Sequence, residues 1–473
     1  MLLRANANDK HAQGDETMGK IHVITASLAV AALTTIASVN AAEPPESAKI
    51  DWKQFDGTTV DLLFVKHPWT TAIEPLLPEF ETLTGINLEL TTVAEDAYWN
   101  KSSLGLGSAT PPFDVFFLSM GIGGYTAYTN SWLAQLNSQI ENPKLTDPAW
   151  YKYDDFSPAA AAAFRLPDPS SPKIYGVPMS TEVYMFFYRK DIFEQSGIDA
   201  NAIVTMPQWM EALGKLKLAE GTYAASLRGG GLGILDELNA IVINSWGKAP
   251  YSKDRFVYFD ENWAPRFTDA RVKEGFKYWV DLMKLSAPGV TSFDWYEATT
   301  QFAQGKAATF GPDASLFASI FLDPKQSTVT DKVGFKALPA AGADGAQTAM
   351  WSWALSIPEK STEKDAAWLF VQWATSPYVI EQVSLQTMAS PRLSTWADPA
   401  YQAKLPAGFG EAVGESLAVA QPSIMYLSSA EQVIQNMIDA LQGAYQGTPL
   451  DEAMQTLQDQ ATTVVKDAGL YKQ

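Results

Sequence analysis

The chain has 473 residues and no cysteine. That absence removes disulfides, thiolate nucleophiles, Cys-ligated zinc and iron–sulfur clusters together. Histidine is scarce as well: of three, His11 and His22 fall within the first 42 residues, leaving His67 alone. One histidine cannot build a multi-His metal site, and no acyl-transfer signature accompanies it to make a triad. Beyond residue 42 there is no Gly-x-Ser-x-Gly, no phosphate-binding Gly-x-x-x-x-Gly-Lys-Ser/Thr and no Gly-x-Gly-x-x-Gly. Arg228-Gly229-Gly230-Gly231-Leu232-Gly233 approaches the last, lacks its final glycine, and reads as a flexible loop. No metal and no cofactor are expected.

Positive charge is in short supply. Lys and Arg number 34 against 53 Asp and Glu, a net charge of −19. Such a surface repels phosphate backbones and anionic lipid, so nucleic acid is a poor partner; solubility of an abundant exported protein accounts for the acidity. The many carboxylates allow pairs of the kind that glycoside hydrolases use, but spacing singles out none. What the chain has in quantity is aromatic side chains, 15 Trp, 18 Tyr and 23 Phe, enough for dense cores and an aromatic-lined pocket. At about 150 residues per domain the length suggests two or three domains.

Residues 21–39 form an apolar, Ala-rich run, preceded by Lys20 and followed by Val39-Asn40-Ala41-Ala42. A basic residue, a short apolar core and a small-x-small end predict a cleavable secretory signal over residues 1–42. Thr25, Ser27, Thr34, Thr35 and Ser38 make the run polar for a permanent membrane helix. The polar residues 1–17 sit awkwardly before such a signal, so Met18 is a second candidate start. Cleavage after Ala41 or Ala42 offers no cysteine for a lipid, which predicts a free protein carrying 31 basic and 50 acidic residues.

Along the remaining chain short apolar strands alternate with amphipathic helical stretches, the pattern of an α/β architecture. Strands are expected over 59–65, 86–92, 113–118, 174–189, 307–311 and 351–357. Helices are expected over 73–84, 206–218, 272–285, 364–375, 377–386, 430–446 and 450–468. Gly85 supplies a C-terminal cap, and Thr205 with Pro207 opens the 206–218 helix. Pro and Ala crowd 154–172, which reads as a surface connection.

Several of these segments, in order, resemble the family 1 extracellular solute-binding proteins of ABC importers, the maltose-binding-like group. Phe80-Glu81-Thr82-Leu83-Thr84-Gly85-Ile86 is similar to its Phe-Glu-x-x-Thr-Gly-Ile turn, and Gly107-Ser108-Ala109-Thr110-Pro111-Pro112-Phe113-Asp114-Val115 to the step that follows. Tyr175-Gly176-Val177-Pro178, then Tyr188-Arg189-Lys190-Asp191-Ile192-Phe193 and Ser196-Gly197-Ile198, resemble another stretch, as does the shuffled Thr205-Met206-Pro207-Gln208-Trp209. Phe302-Ala303-Gln304-Gly305-Lys306-Ala307-Ala308 and Ser356-Ile357-Pro358-Glu359-Lys360-Ser361 with Ala366-Ala367-Trp368-Leu369-Phe370 continue it. Each fragment is weak alone; their shared order and gaps carry the resemblance over roughly residues 59–470. Two departures stand out. Arg189 replaces a usual Asn, and Trp351-Ser352-Trp353 replaces Gly-Gly-Trp, reshaping any pocket there. With Ser390-Pro391-Arg392 downstream, that Trp-x-Trp resembles members that bind sugar alcohols.

The resemblance implies a two-lobe α/β periplasmic binding protein fold, its lobes joined by hinge strands around a ligand cleft. Lobe one would be 43–180 plus 351–395 and lobe two 184–347 plus 420–473, with crossings near 181–183, 348–351 and 395–421. It implies a non-enzymatic, periplasmic, monomeric protein that passes a carbohydrate or polyol to an ABC permease. Ligands in such folds sit beyond the carboxyl ends of strands. That rule selects His67-Pro68-Trp69, then Glu95-Asp96-Ala97-Tyr98-Trp99, then Ser119, and Thr181-Glu182 with Tyr184 at the first crossing, where the resemblance implies a ligand-binding acid. His67 also reads simply as a satisfied strand-end histidine. The resemblance puts Asp313, in Gly311-Pro312-Asp313, on a loop where the family often has a stacking aromatic. Asp236 is a further candidate acid, and Arg392 would bind hydroxyls or pair with acids. Trp69, Trp246, Trp351 and Trp353 are the stacking candidates. Two other readings stay open: a cationic solute such as a polyamine, drawn by Glu182, Asp96 and Asp313, and a secreted glycoside hydrolase.

Overall fold

The computed structural model describes residues 42–251, 255–422 and 424–471; the expected leader lies outside them. Eight strands make one continuous sheet system: β1 (Thr59–Val65), β2 (Asn87–Val93), β3 (Val115–Leu118), β4 (Val177–Arg189), β5 (Thr309–Ala314), β6 (Val333–Ala337), β7 (Thr348–Ser356) and β8 (Ala420–Pro422). Their order is β2-β1-β3-β7-β4-β5, with β6 also on β4 and β8 on β7. β1, β2 and β3 are parallel and β7 runs antiparallel to β3. β3 is buried along its whole length, as its unbroken Val-Phe-Phe-Leu run requires in a strand covered on both faces.

β4 is the member that matters most for function. Residues 177–183 pair antiparallel with β7. From Tyr184 onward the same strand pairs with β5 and β6 instead. The change of partner falls beside Glu182, at the expected first crossing.

On one side of that change Phe64 and Phe80 pack on Phe370 of the helix Lys364–Ala374. On the other, Phe187 packs on Phe310 and Phe321, and Phe186 on Trp209. The expected helices over 206–218, 272–285, 364–375 and 377–386 are present with ends shifted by one to three residues. Those over 430–446 and 450–468 fall at Ala430–Gln446 and Leu450–Asp467.

Four local expectations need correction. The 73–84 helix is broken into Pro68–Ile73, a 3₁₀ turn Glu74–Leu76, and Leu77–Thr84, because Pro75 and Pro78 each lack an N–H and re-start the helix. The 154–172 connection contains the helix Pro158–Ala163, whose alanines 160, 161 and 163 are buried. Gly229 and Gly230 are no free loop: a Cβ on either would meet the backbone oxygen of Val290 or Thr291 at 2.2 or 2.5 Å, so the turn is pressed against that segment. Asp313 stands in strand β5 rather than a loop. The helix Ile234–Trp246 went unread because all thirteen of its residues are buried, and no polar stripe marks its period.

Candidate functional site

Antiparallel register builds the site. Trp351 of β7 lies opposite Glu182 of β4, and Trp353 opposite Ser180. Opposed residues share a face and alternate residues return to it, so Ser180, Glu182 and Tyr184 join the two indoles on one side of the sheet. Gly121 is what lets Trp351 lie flat there: a Cβ on it would come within 2.3 Å of the indole.

Other elements deliver their ends to the same place. His67, just beyond β1, caps the helix Pro68–Ile73, its Nδ1 accepting the Trp69 N–H at 3.1 Å. That bond leaves the ring proton on Nε2, which stands 3.4 Å from Glu182 Oε1. Ser180 Oγ donates to the same oxygen at 3.1 Å. Glu95 opens the helix Glu95–Gly107 after β2. Asp236 occupies the first turn of the helix Ile234–Trp246, where the helix dipole favours an acid. Trp295 begins the helix Trp295–Ala303, fixed by a capping box between Asp294 and Glu297.

Together with Arg228 and Phe317 these residues enclose a cavity of about 30 Å³, room for roughly two water molecules. A larger cleft of about 890 Å³ adjoins it and shares His67 and Trp295. The cleft is lined mainly by threonines, glutamines and helix ends; the convergence of carboxylates and rings belongs to the inner cavity. Tyr296 spans the cleft by donating its hydroxyl to Lys66 O at 3.0 Å.

Arg228 holds the rear of the cavity. Its Nη2 and Nε reach Asp313 at 2.8 and 3.2 Å, Nη2 lies 2.7 Å from Glu237, and Nη1 donates to Gly233 O at 3.1 Å. Burial alone would lower the guanidinium's pKa, but Asp313 and Glu237 outweigh it and raise it well above normal. Burial likewise pushes the Glu237 carboxyl well up, against the pull of Arg228 and with Asp313 and Asp236 adding to the rise. Tyr184 is pushed up by burial first, then by Asp236, Glu237 and Glu182. Glu95 is raised by burial, which Arg228 and His67 partly offset.

Seven of the expected positions, His67, Glu95, Glu182, Tyr184, Asp236, Trp351 and Trp353, line this one cavity. Asp313 is wholly buried and serves it through Arg228. Asp96 is exposed and faces Gly231 of the glycine turn, where a Cβ would stand 3.5 Å from its Oδ1. Ser119 lies on a separate cavity and caps Ile122.

The other four lie elsewhere. Trp69 is buried against Phe64 and Phe117, so its ring belongs to the core. Tyr98 is buried and donates to Phe117 O. Trp246 carries the Arg271 guanidinium 3.6 Å from its ring centroid and donates to Ala249 O. Arg392 is fully buried and pairs with an acid, Asp155, at 3.3 Å, while donating to the carbonyls of Tyr151, Lys152 and Thr375 and stacking over Phe156. Among the described residues no group of three or more acidic or histidine side chains is placed to hold a metal.

The sequence offers no sign of Arg228, Trp295 or Phe317 at this site, whereas Glu95, selected with Asp96 by the strand-end rule, lines the cavity. Arg228 had no signal beyond preceding the glycines, because its two carboxylate partners are nine and 85 residues away.

Residues 67–379 match the family described as Bacterial extracellular solute-binding protein. A curated relative, the mannitol-binding protein of Pseudomonas aeruginosa, is 33% identical over 232 residues, 48% of this chain; the alignment spans only half of that relative's length. The erythritol/L-threitol-binding protein of Mycolicibacterium smegmatis is 24% identical over 343 residues, 69% of this chain and 68% of its own. Among solved structures, an ABC transporter solute-binding protein of Agrobacterium vitis with bound D-mannitol superposes with a TM-score of 0.73 at 26% identity. It covers 87% of this chain and 99% of its own. The fold is that of the two-lobe periplasmic binding proteins. With two thirds of its length inside the family match and a cavity walled by the strands that link the two halves of its sheet, the chain belongs to the bacterial extracellular solute-binding proteins, a family of binding proteins rather than enzymes.

Proposed function

We propose that the chain captures a neutral polyhydroxylated solute, a sugar alcohol foremost, in the large cleft beside His67 and Trp295, with the carboxylates and indoles of Glu182, Trp351 and Trp353 at its inner end, and delivers it to the membrane subunits of an ABC importer. The observation that carries this reading is the convergence of the Glu182, Asp236 and Glu95 carboxylates with three indoles on one enclosed space. Carboxylates accept bonds from vicinal hydroxyls, and aromatic faces pack on the C–H side of a carbon chain. The ligands for which the relatives are named, mannitol and erythritol or L-threitol, support the same class.

In this reading 43–180 plus 351–395 form one lobe and 184–347 plus 420–473 the other. β4 and β7 hinge them where β4 changes partners. A solute enters the large cleft beside His67 and Trp295, and its contacts with both lobes favour the closed arrangement. The protein acts as a monomer in a Gram-negative periplasm after removal of residues 1–42. No helix among the described residues is long and apolar enough to cross a membrane.

Isothermal titration of residues 43–473 with mannitol, sorbitol, ribitol, erythritol, maltose and putrescine tests the reading. A response to alditols that survives raised salt is expected. Silence from every sugar and alditol, with a salt-sensitive response to putrescine, would replace it with a cationic solute.

A further inference from the structure

The stacked indoles of Trp99 and Trp353 have a cavity on either side. Their centroids are 5.5 Å apart and their planes 11° from parallel. Trp353 lines the inner end of the solute cavity. Trp99 does not; it lines a second cavity of about 220 Å³, which Trp353 does not reach. The pair is therefore a two-ring partition, one ring for each space.

The second cavity is more apolar than the first, with one carboxylate in place of three, and has far more room. Trp99 and Trp132 supply aromatic surface, and Ser102 and Ser119 supply hydroxyls. Glu431, at the start of the helix Ala430–Gln446, faces them, and Leu232 of the glycine turn closes the wall. Ser119 Oγ is engaged only as acceptor for Ile122 N–H at 3.4 Å, so its hydroxyl proton can be donated. Trp99 Nε1 is buried and has no hydrogen-bond partner. A buried donor without an acceptor is costly, and a hydroxyl beside it would relieve that cost.

Building on the sugar-alcohol reading above, we infer that Trp99 is the residue that limits solute length: its stack holds Trp353 across the end of the solute cavity, and without it that indole is free to turn into the space behind. The space behind it is a second subsite, closed off in this protein, that fits one hexopyranosyl unit. The chemical class admitted when the partition is opened is a glycosylated alditol.

The test is titration of the wild-type protein, Trp99→Ala, Trp99→Leu and Trp99→Phe with hexitols (D-mannitol and D-sorbitol) and with maltitol, a glucosyl hexitol. Wild type should bind its preferred hexitol at least 100-fold more tightly than maltitol. Trp99→Ala and Trp99→Leu should shrink that ratio at least tenfold, while Trp99→Phe, which retains a ring on Trp353, should keep it. Leucine preserves an apolar side chain on the helix that alanine removes, and a thermal melt reports folding for each variant. An unchanged ratio in a folded, hexitol-binding variant overturns the length filter alone, as does wild-type protein that binds maltitol as tightly as hexitol. Wild-type protein that binds no alditol overturns the function reading, and the filter falls with it.

Discussion

His67 Nε2 stands 3.4 Å from Glu182 Oε1, tying the end of β1 to the point where β4 changes partners. Both side chains are nearly buried, and the His67 ring is oriented from behind by the Trp69 N–H. Ser180 adds a second donor to the same carboxylate oxygen. The other oxygen of Glu182 is thereby turned to the cavity in a fixed geometry, which favours recognition by lowering the entropy lost when a solute binds.

Glu182→Ala should weaken solute binding roughly 10- to 100-fold, the worth of one or two hydrogen bonds to a charged group. Glu182→Gln should lose less, because an amide oxygen still accepts from His67 and Ser180. Titration calorimetry reads both, and equal affinity for wild type and Glu182→Ala would remove Glu182 from the site.

Arg228→Met leaves Asp313 and Glu237 buried without their shared cation. It should cost about 3–5 kcal/mol in urea unfolding, the usual penalty for orphaning one side of a buried pair. The triple variant Arg228→Met, Asp313→Asn, Glu237→Gln should recover much of that stability without recovering affinity, since Arg228 also lines the cavity.

Asp294 gives the stability a pH dependence. Burial first, and then a hydrogen bond shared with Glu297, push its carboxyl up to about 7, whereas that bond lowers Glu297. The folded state therefore holds a proton that the unfolded chain, with its ordinary value of 3.8, releases earlier. The contribution is fully present below pH 3.8 and is lost as pH rises through 7. Glu297 acts in the opposite sense, losing its smaller contribution as pH falls through its depressed value. Asp294→Asn keeps an N-cap acceptor for the helix that carries Trp295 and should flatten the melting-temperature profile between pH 4 and 7. A wild-type profile already flat there would overturn the assignment.

Arg392→Met separates fold from site. Arg392 bonds three backbone carbonyls in a fully buried setting, so its loss should cost about 3 kcal/mol of stability. Affinity measured well below the melting temperature should stay within about twofold, a change under 0.5 kcal/mol.

These contrasts show what could be read from the chain and what could not. The strands were legible because apolar runs and Gly or Pro punctuation are local signals. Glu182 with Tyr184, and Trp351 with Trp353, were legible through the family resemblance, which marks the first crossing and the altered Gly-Gly-Trp; that they share one face follows only from the register of β4 on β7. Trp69 and Trp351 look alike in sequence, each an indole near a strand; whether the ring enters the core or the cavity depends on Phe64, Phe117 and Gly121, which are remote from one or the other. The sequence leaves Arg392 between binding hydroxyls and pairing with acids; it pairs with Asp155 at 3.3 Å, and three backbone carbonyls from 17 to 241 residues away, which no local signal marks, also take its protons. Ion-pair networks such as Arg228 with Glu237 and Asp313 leave no periodic trace at all.

The 13 residues of β4 are paired from end to end, first to β7 and then to β5 and β6. Between its register shifts at 178–180 and 185–187, a strand in that position has no slack. Deleting or inserting one residue between Ser180 and Tyr184 would invert every side chain beyond it, turning Glu182 or Tyr184 out of the cavity and forcing the opposite face of the strand, Met185 and Phe187, out of the core. Homologues can therefore drift in side-chain identity along this segment, but its length is locked, and indels must accumulate in the surface loops instead.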